Sequence, residues 1–418
     1  MTQLIEKYGI WIVTAIALLL YCLAIGHGFV LDDNLVITSN SHILEGFAGI
    51  PDLFKYNYAH GHGGFNDGLY RPLSLVTFSI EKSLFDLNPS ISHFIQALLY
   101  ALAVFLIAAW LRKLFTSESQ WWFWITLLFA VHPMHTEVVA NLKSRDEILA
   151  LLFFAGAAFV FTKWLQSQRL LELVMAAILF LLSCFSKESA VTFIVIFPLI
   201  TWYKSIPASK ALIGSSIMIV PVGIFLGMRQ VVLSSLPEVD SGVSNLLQNS
   251  LIEIGGYAER LATSAAIQGL YLQKLFIPIQ LSHDYSFNAI PVVGLTDPIG
   301  LFWIIVMLGL IGLGVYGMLR KTWWSFGILF YFATIAVVAN LFLLIGAIAA
   351  ERFVFTPSLG WCIAVVTALH LINPLQKHRT KILLFTSAAF ISLTAMRIPD
   401  WKSNYTLFTT DVETVPNS

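Results

Sequence analysis

Eleven stretches of apolar residues set the first condition on any fold this chain can adopt. They lie near 9–29, 92–111, 121–132, 147–162, 170–184, 189–203, 210–233, 298–319, 323–346, 358–373 and 380–396. A helix needs about 20 apolar residues to cross the hydrocarbon of a bilayer. Composition leaves little alternative to such crossings. Hydrophobic residues make up 57% of the 418 and charged residues 11%, where a soluble globular chain carries about 25% charge. Mean hydropathy is +0.79. The 24 Lys and Arg balance the 24 Asp and Glu, so no net charge keeps this apolar surface dispersed in water. The same numbers argue against a basic nucleic-acid binder, a disordered segment or a disulfide-framed secreted module. The expected class is all-α, a polytopic membrane protein of about 11 transmembrane helices.

The first stretch reads as a retained span, because Lys7 is the only basic residue before it and no small-x-small cleavage site follows. Orientation follows from the basic residues of the short connectors. With the N-terminus in the cytoplasm, the inner side holds Lys7, Arg112, Lys113, Lys163, Arg169, Lys204, Lys210, Arg320, Lys321, Lys377, Arg379 and Lys381. The only acids there are Glu6, Glu118 and Glu172. Two outer segments are long enough to build structure, at about 30–91 and about 234–297. The first contains an amphipathic stretch from Pro72 to Phe85. The second contains 251–280, where Glu253, Glu259, Arg260 and Lys274 interrupt the apolar residues too often for a span. Short interfacial helices are expected in both. Cys22, Cys184 and Cys362 sit inside apolar stretches without metal-like spacing and read as packing residues.

On this topology seven polar clusters fall at outer helix ends: Asp32-Asp33, Tyr70-Arg71, His132 to Glu137, Lys143 to Glu147, Ser186-Lys187-Glu188, His283-Asp284 and Glu351-Arg352. Ionisable residues at membrane depth are costly, so their gathering on one side marks a functional face. Asp32-Asp33 reads either as a solvated helix end or as a carboxylate base or metal ligand. Adjacent acids on a loop point in different directions, so one could face a cleft while the other orients the backbone. His132 and His135 could share one side of a helical turn, as zinc ligands do. Pro133 makes a regular helix doubtful there, and no third ligand is obvious; a capping network or a sugar or phosphate contact remains open. Arg71, Arg145, Lys187 and Arg352 each read singly as an interfacial ion pair or snorkelling anchor. Together they offer donors suited to a phosphate-bearing ligand at the membrane surface.

These motifs resemble those of the protein O-mannosyltransferases with transmembrane and tetratricopeptide repeats, the TMTC family, within the GT-C class of membrane glycosyltransferases. The resemblance is carried in order by Phe29 to Asp33, Tyr70 to Leu73, His132 to Val139, Ser144 to Asp146, Ser186 to Glu188, Leu281 to Asp284 and Ala350 to Gly360. It implies a GT-C-like transmembrane domain over 1–397. Residues 398–418, with Asp400-Trp401, Leu407-Phe408 and Pro416-Asn417, resemble the lead-in to the repeat array.

By resemblance, Asp32 is placed as the base and Asp33 as its supporting neighbour. A Ser or Thr hydroxyl is a poor nucleophile until a carboxylate accepts its proton as it attacks the sugar C1. The lipid-phosphate leaving group needs fixed cations; Lys187, Arg352, Arg145 and Arg71 are ranked for that part. His132, His135, Glu137, Glu188, Glu351, His283 and Asp284 complete the donor-binding set. The implied donor is a polyprenyl- or dolichyl-phosphate sugar, namely mannose. Expected partners are a Ser/Thr-bearing protein acceptor and the bilayer, with no nucleic acid. No cofactor and no metal are expected to be required. The outer face would be periplasmic in a bacterium or luminal in the endoplasmic reticulum. A transferase with a lipid or glycan acceptor is the second reading. A transporter or flippase is a third, disfavoured because the charges gather at one face and no inverted repeat is visible.

Overall fold

The computed structural model describes residues 2–115, 120–236, 249–252, 256–286, 289–375 and 377–416. Glu118, Glu253 and Asn417 lie outside the described residues. All regular structure among the described residues is helical, with no strand among them. Seven helices are long and apolar enough to cross a membrane: Gln3–Ala24, Pro89–Leu114, Leu142–Ser167, Ala208–Ser234, Pro298–Leu319, Glu351–Leu369 and Arg379–Lys402. Trp121–Ala130, Leu170–Ser186, Glu188–Tyr203 and Trp323–Ile335 are apolar but shorter. They coincide with the remaining four apolar stretches.

Local chemistry starts several of these helices. The Asn88 side chain accepts from the Ser90 and Ile91 amides, Pro89 occupies the first turn, and Arg112 and Lys113 close the last turn of Pro89–Leu114. A capping acceptor, a proline needing no amide partner and cations near the carbonyl end all favour that register. Asp297 and Pro298 open Pro298–Leu319 in the same way.

The long helices differ in what surrounds them. In Leu142–Ser167, 78% of the apolar window is buried, against 17% in Pro298–Leu319. The former packs between Pro89–Leu114 and Leu170–Ser186 at the centre of the bundle. The latter presents Ile299, Phe302, Ile305, Leu308 and Val315 outward, a surface that only lipid would leave without cost. Trp323–Ile335 and the helix Phe355–Leu369 meet backbone to backbone. A Cβ on Gly327 would fall 2.5 Å from the Gly360 carbonyl oxygen, and one on Gly360 2.6 Å from that of Gly327. Small residues at one crossing permit this approach.

One expected element is shorter than its apolar run. The stretch 323–346 is helical only to Ile335. Beyond it Asn340 adopts φ +55°, and its amide binds the carbonyls of Ala347 and Ile348 and the Ile345 amide. It also accepts from Asn249. A buried asparagine thus supplies hydrogen bonds that a continuing helix would have supplied, and the chain turns.

Residues 30–91 fold into a small cap of helices, with Ser41–Leu44, Ile50–Lys55 and Pro72–Phe85. Their own core joins Val36, Ile37, Ile43, Leu53, Tyr58, Leu75 and Phe78 to Leu142 of the bundle. The amphipathic stretch is therefore a helix, seated against Leu170–Ser186. In the later segment, Tyr257–Phe276 is helical.

Candidate active site

The loop that leaves the first helix carries the two aspartates, and the structure points them apart. Asp33 is 0% exposed. Its carboxylate accepts the Val30 amide at 2.9 Å and the Lys143 amide at 2.7 Å, stapling the loop to the start of the central helix. Asp32 has a side chain 62% exposed, with Oδ2 3.0 Å from Lys143 Nζ. The ammonium of Lys143 holds Asp32 below the usual carboxylate range, whereas burial pushes Asp33 up to about 7. Adjacent residues of the same type are thereby given different chemistry: one a buried strut, the other an ionised carboxylate in the open.

Around Asp32 stands a layer of paired charges. Arg71 bridges Asp146 and Glu188, at 2.7 Å to each. Glu188 also accepts the Tyr70 amide at 2.6 Å. Lys187 sits 2.7 Å from Glu147 and 3.7 Å from Asp146. Arg352 binds Glu137 twice, through its amide at 2.7 Å and its guanidinium at 2.5 Å. Its side chain remains 25% exposed. The charges of Lys143, Arg352 and His283 all bear on Asp32, and those of Asp32 and Glu147 on Arg352. Sequence positions 32, 143, 283 and 352 thus bear on one another, with Lys187 linked to them through Glu147; of the cations Arg352 keeps 25% of its side chain open and Lys143 16%, whereas Lys187 keeps 7%.

Glu351 lies behind this layer. It is buried and accepts the Ser282 amide at 2.8 Å and the Tyr285 hydroxyl at 2.7 Å, anchoring the segment that presents His283 and Asp284. Asp284 accepts the Ser286 amide at 2.9 Å and shapes that turn. His283 donates its backbone amide to Asp411 at 2.7 Å and sets Nδ1 2.5 Å from the same oxygen. Arg397 holds the other oxygen of Asp411 at 2.8 Å.

Arg145, His132 and His135, expected at a ligand, are likewise buried and engaged within the protein. Arg145 is 0% exposed. Its guanidinium is taken by Glu81, by Gln96 at 2.9 Å, by Thr77 at 3.1 Å and by the Ser92 carbonyl at 3.1 Å, and it stacks on Phe78. Four acceptors and a ring leave no face for a phosphate. His132 accepts the Met134 amide at Nδ1 and contacts the Leu275 carbonyl at 3.1 Å, so it caps the turn Pro133–His135. His135 lies 3.1 Å from the Tyr100 hydroxyl and 2.8 Å from Ser358 Oγ. The Ser358 proton goes to the Phe355 carbonyl, which assigns Nε2–H of His135 as the donor. Both imidazoles are fully buried, and their ring nitrogens are engaged in internal hydrogen bonds. No group of three or more His, Cys, Asp or Glu is placed to hold a metal among the described residues.

Lys143 and Asp411 escaped the sequence-based selection. The sequence signal for Lys143 is its place in the charged cluster Lys143 to Glu147 at an outer helix end. Asp411 lay in a segment read only as a lead-in.

A helical bundle whose polar residues collect at one end around a single exposed aspartate is the class these observations define. No family model matches the chain. It is 25% identical to the mouse protein O-mannosyl-transferase TMTC3 over 91% of its own length and 44% of that protein. With the human TMTC3 the figures are 26%, 91% and 45%, and with F38B6.6 of Caenorhabditis elegans 22%, 97% and 58%. The chain spans about half the length of these curated relatives. The resemblance to the TMTC protein O-mannosyl-transferases therefore runs over nine tenths of the chain. Among solved structures, an oligosaccharyltransferase of Archaeoglobus fulgidus aligns with 99% of this chain and 56% of its own at 14% identity, with a TM-score of 0.45; this alignment is too distant to equate the two folds.

Proposed function

We propose that this chain is a membrane glycosyltransferase of GT-C type. It moves mannose from a polyprenyl-phosphate carrier to Ser or Thr hydroxyls of proteins on the non-cytoplasmic face. The observation that carries the reading is the split between the aspartates: Asp33 is pinned by two backbone amides, while Asp32 stands exposed and ionised beside Lys143. The acceptor oxygen attacks C1, its proton passes to Asp32, and the C1–O bond to phosphate breaks with the electron pair leaving on the lipid phosphate. Inversion at C1 follows from a single displacement. Lys187, Arg352 and Lys143 stabilise the charge that develops on the departing phosphate. Arg71 stays committed to Asp146 and Glu188 and orients them. In this reading no metal is required, the fixed cations taking the charge of the departing phosphate.

In this reading all seven long and four shorter helices cross the bilayer, with the N-terminus cytoplasmic and the site on the periplasmic or luminal side. TMTC-named relatives and the outward apolar surface of Pro298–Leu319 support it. The test is transfer in vitro from defined polyprenyl-phosphate sugars to Ser/Thr peptides, with products read by mass spectrometry. Asp32→Asn is expected to lower turnover by about 10²- to 10⁴-fold while leaving donor binding and thermal stability intact. Full turnover in that variant would remove Asp32 as the base.

A further inference from the structure

One short helix outside the long spans touches both loops of the site. Asn404–Thr414 begins with a capping box made by Ser403 and Thr406, so its start is fixed by its own sequence. At that end Asn404 Oδ1 accepts the Leu31 amide at 2.8 Å, and the nearby Lys402 carbonyl accepts the Gly28 amide at 3.2 Å. Leu31 has φ +49°, a left-handed conformation that costs a leucine about 1–2 kcal/mol and persists only where neighbours hold it. Asp32 is the next residue. At the other end Asp411 takes the backbone and imidazole of His283 on one oxygen and Arg397 on the other. His283 is wedged edge-on against Trp401 and Phe408.

We propose that Asn404 and Asp411 are positioning residues of the active site: through one helix, Asn404 holds the strained turn that aims Asp32, and Asp411 holds His283 beside it. This inference rests on the assignment of Asp32 as the base. With Nδ1 bonded to Asp411, Nε2 is the ring nitrogen left for the site. The helix keeps the two loops, about 250 residues apart in sequence, in one register. The helix start also contains the triplet Asn404-Tyr405-Thr406, an N-glycosylation pattern whose asparagine spends Oδ1 on the Leu31 amide.

The experiment compares Asn404→Ala with Asn404→Asp in the full chain in detergent. Both variants destroy the triplet, but only the aspartate keeps an oxygen for the Leu31 amide. Asn404→Ala is expected to lower kcat about 10- to 100-fold with donor KM unchanged, and Asn404→Asp to recover it to within about threefold. Hydrogen exchange supplies a readout without turnover: the amides of residues 31–33 should exchange at least about tenfold faster in the alanine variant and not in the aspartate variant. Unchanged exchange, unchanged kcat in Asn404→Ala, or equal loss in both variants overturns the proposal. Asp32→Asn run alongside separates the two ideas. If it retains turnover, the assignment of the base fails while the exchange result still judges the helix. Should Asn404→Ala not fold, Asp411→Asn and Asp411→Glu repeat the comparison at His283, with loss expected in the first and recovery in the second. Wild-type kcat in Asp411→Asn would overturn it.

Discussion

Arg145 and Arg352 look alike in sequence, each beside an acid at the end of an apolar stretch, yet they occupy opposite kinds of site. Arg145 is enclosed by Glu81, Gln96, Thr77 and the Ser92 carbonyl. Arg352 spends its amide and one guanidinium nitrogen on Glu137 and leaves a quarter of its side chain open. The difference teaches that a cation at membrane depth becomes functional by what it has left after pairing. The first joins the cap to the bundle; the second faces Asp32.

The largest effect that could break this comparison is on stability. Arg145→Met should destabilise the protein by about 3–5 kcal/mol, because Glu81 would be left buried and unpaired. Arg145→Met with Glu81→Gln should regain much of that loss in thermal melts monitored by tryptophan fluorescence. If Arg145→Met instead melts normally and loses only donor affinity, the assignment of the two arginines is reversed.

Arg352→Ala should act in the opposite sense, weakening binding of a polyprenyl-phosphate sugar by about 10- to 100-fold, the range of a lost hydrogen bond to a charged group. Lys187→Ala should weaken it as well but with a loss of stability, because Glu147 and Asp146 would lose a buried partner. Titration with the donor checks this, and unchanged affinity in both variants would move the phosphate elsewhere. Chelation by EDTA should leave turnover of the wild type unaltered. A loss restored by added divalent cation would show that these side chains do not suffice.

Much of this layout could be read from apolar periodicity and helix caps. Asn88-Pro89 and Asp297-Pro298 start helices where their chemistry says they should. The pairing of charges could not be read that way, because partners are remote: Glu137 meets Arg352 across 215 residues and Arg71 meets Glu188 across 117. Sequence shows that a charge needs a partner, and only the folded chain shows which partners use it up. For the same reason Arg145 ranked beside Arg352, and Lys143 went unranked although it sets the protonation of Asp32. The apolar run after Ile335 misled because hydropathy does not register that Asn340 can satisfy a turn from within.

The pH–rate profile sharpens the pairing of Asp32 with Lys143. Since Lys143 depresses Asp32, the acid limb of wild-type turnover should lie below the ordinary aspartate value of about 3.9. Lys143→Gln removes the depressing charge, so the limb should move toward higher pH while turnover on the plateau falls less. A limb that stays in place would mean that another group sets it.

The smallest effect concerns Asp33, and its sign follows from burial. Its folded value, about 7, lies above that of an unfolded aspartate, about 3.9. Between those values the folded state binds the proton and the unfolded state does not. Stability contributed by this group is therefore present at low pH and lost as pH rises from about 4 through about 7. The Val30 and Lys143 amides favour the carboxylate and already limit how far burial raises that value. Asp33→Asn cannot titrate, and an amide nitrogen would face one of two amide donors, so the variant should be less stable throughout. Thermal melts at stepped pH should show a flatter dependence in Asp33→Asn than in wild type over that window. Parallel slopes would mean that Asp33 stays ionised in the folded protein, making both aspartates carboxylates at neutral pH and leaving exposure alone to distinguish them.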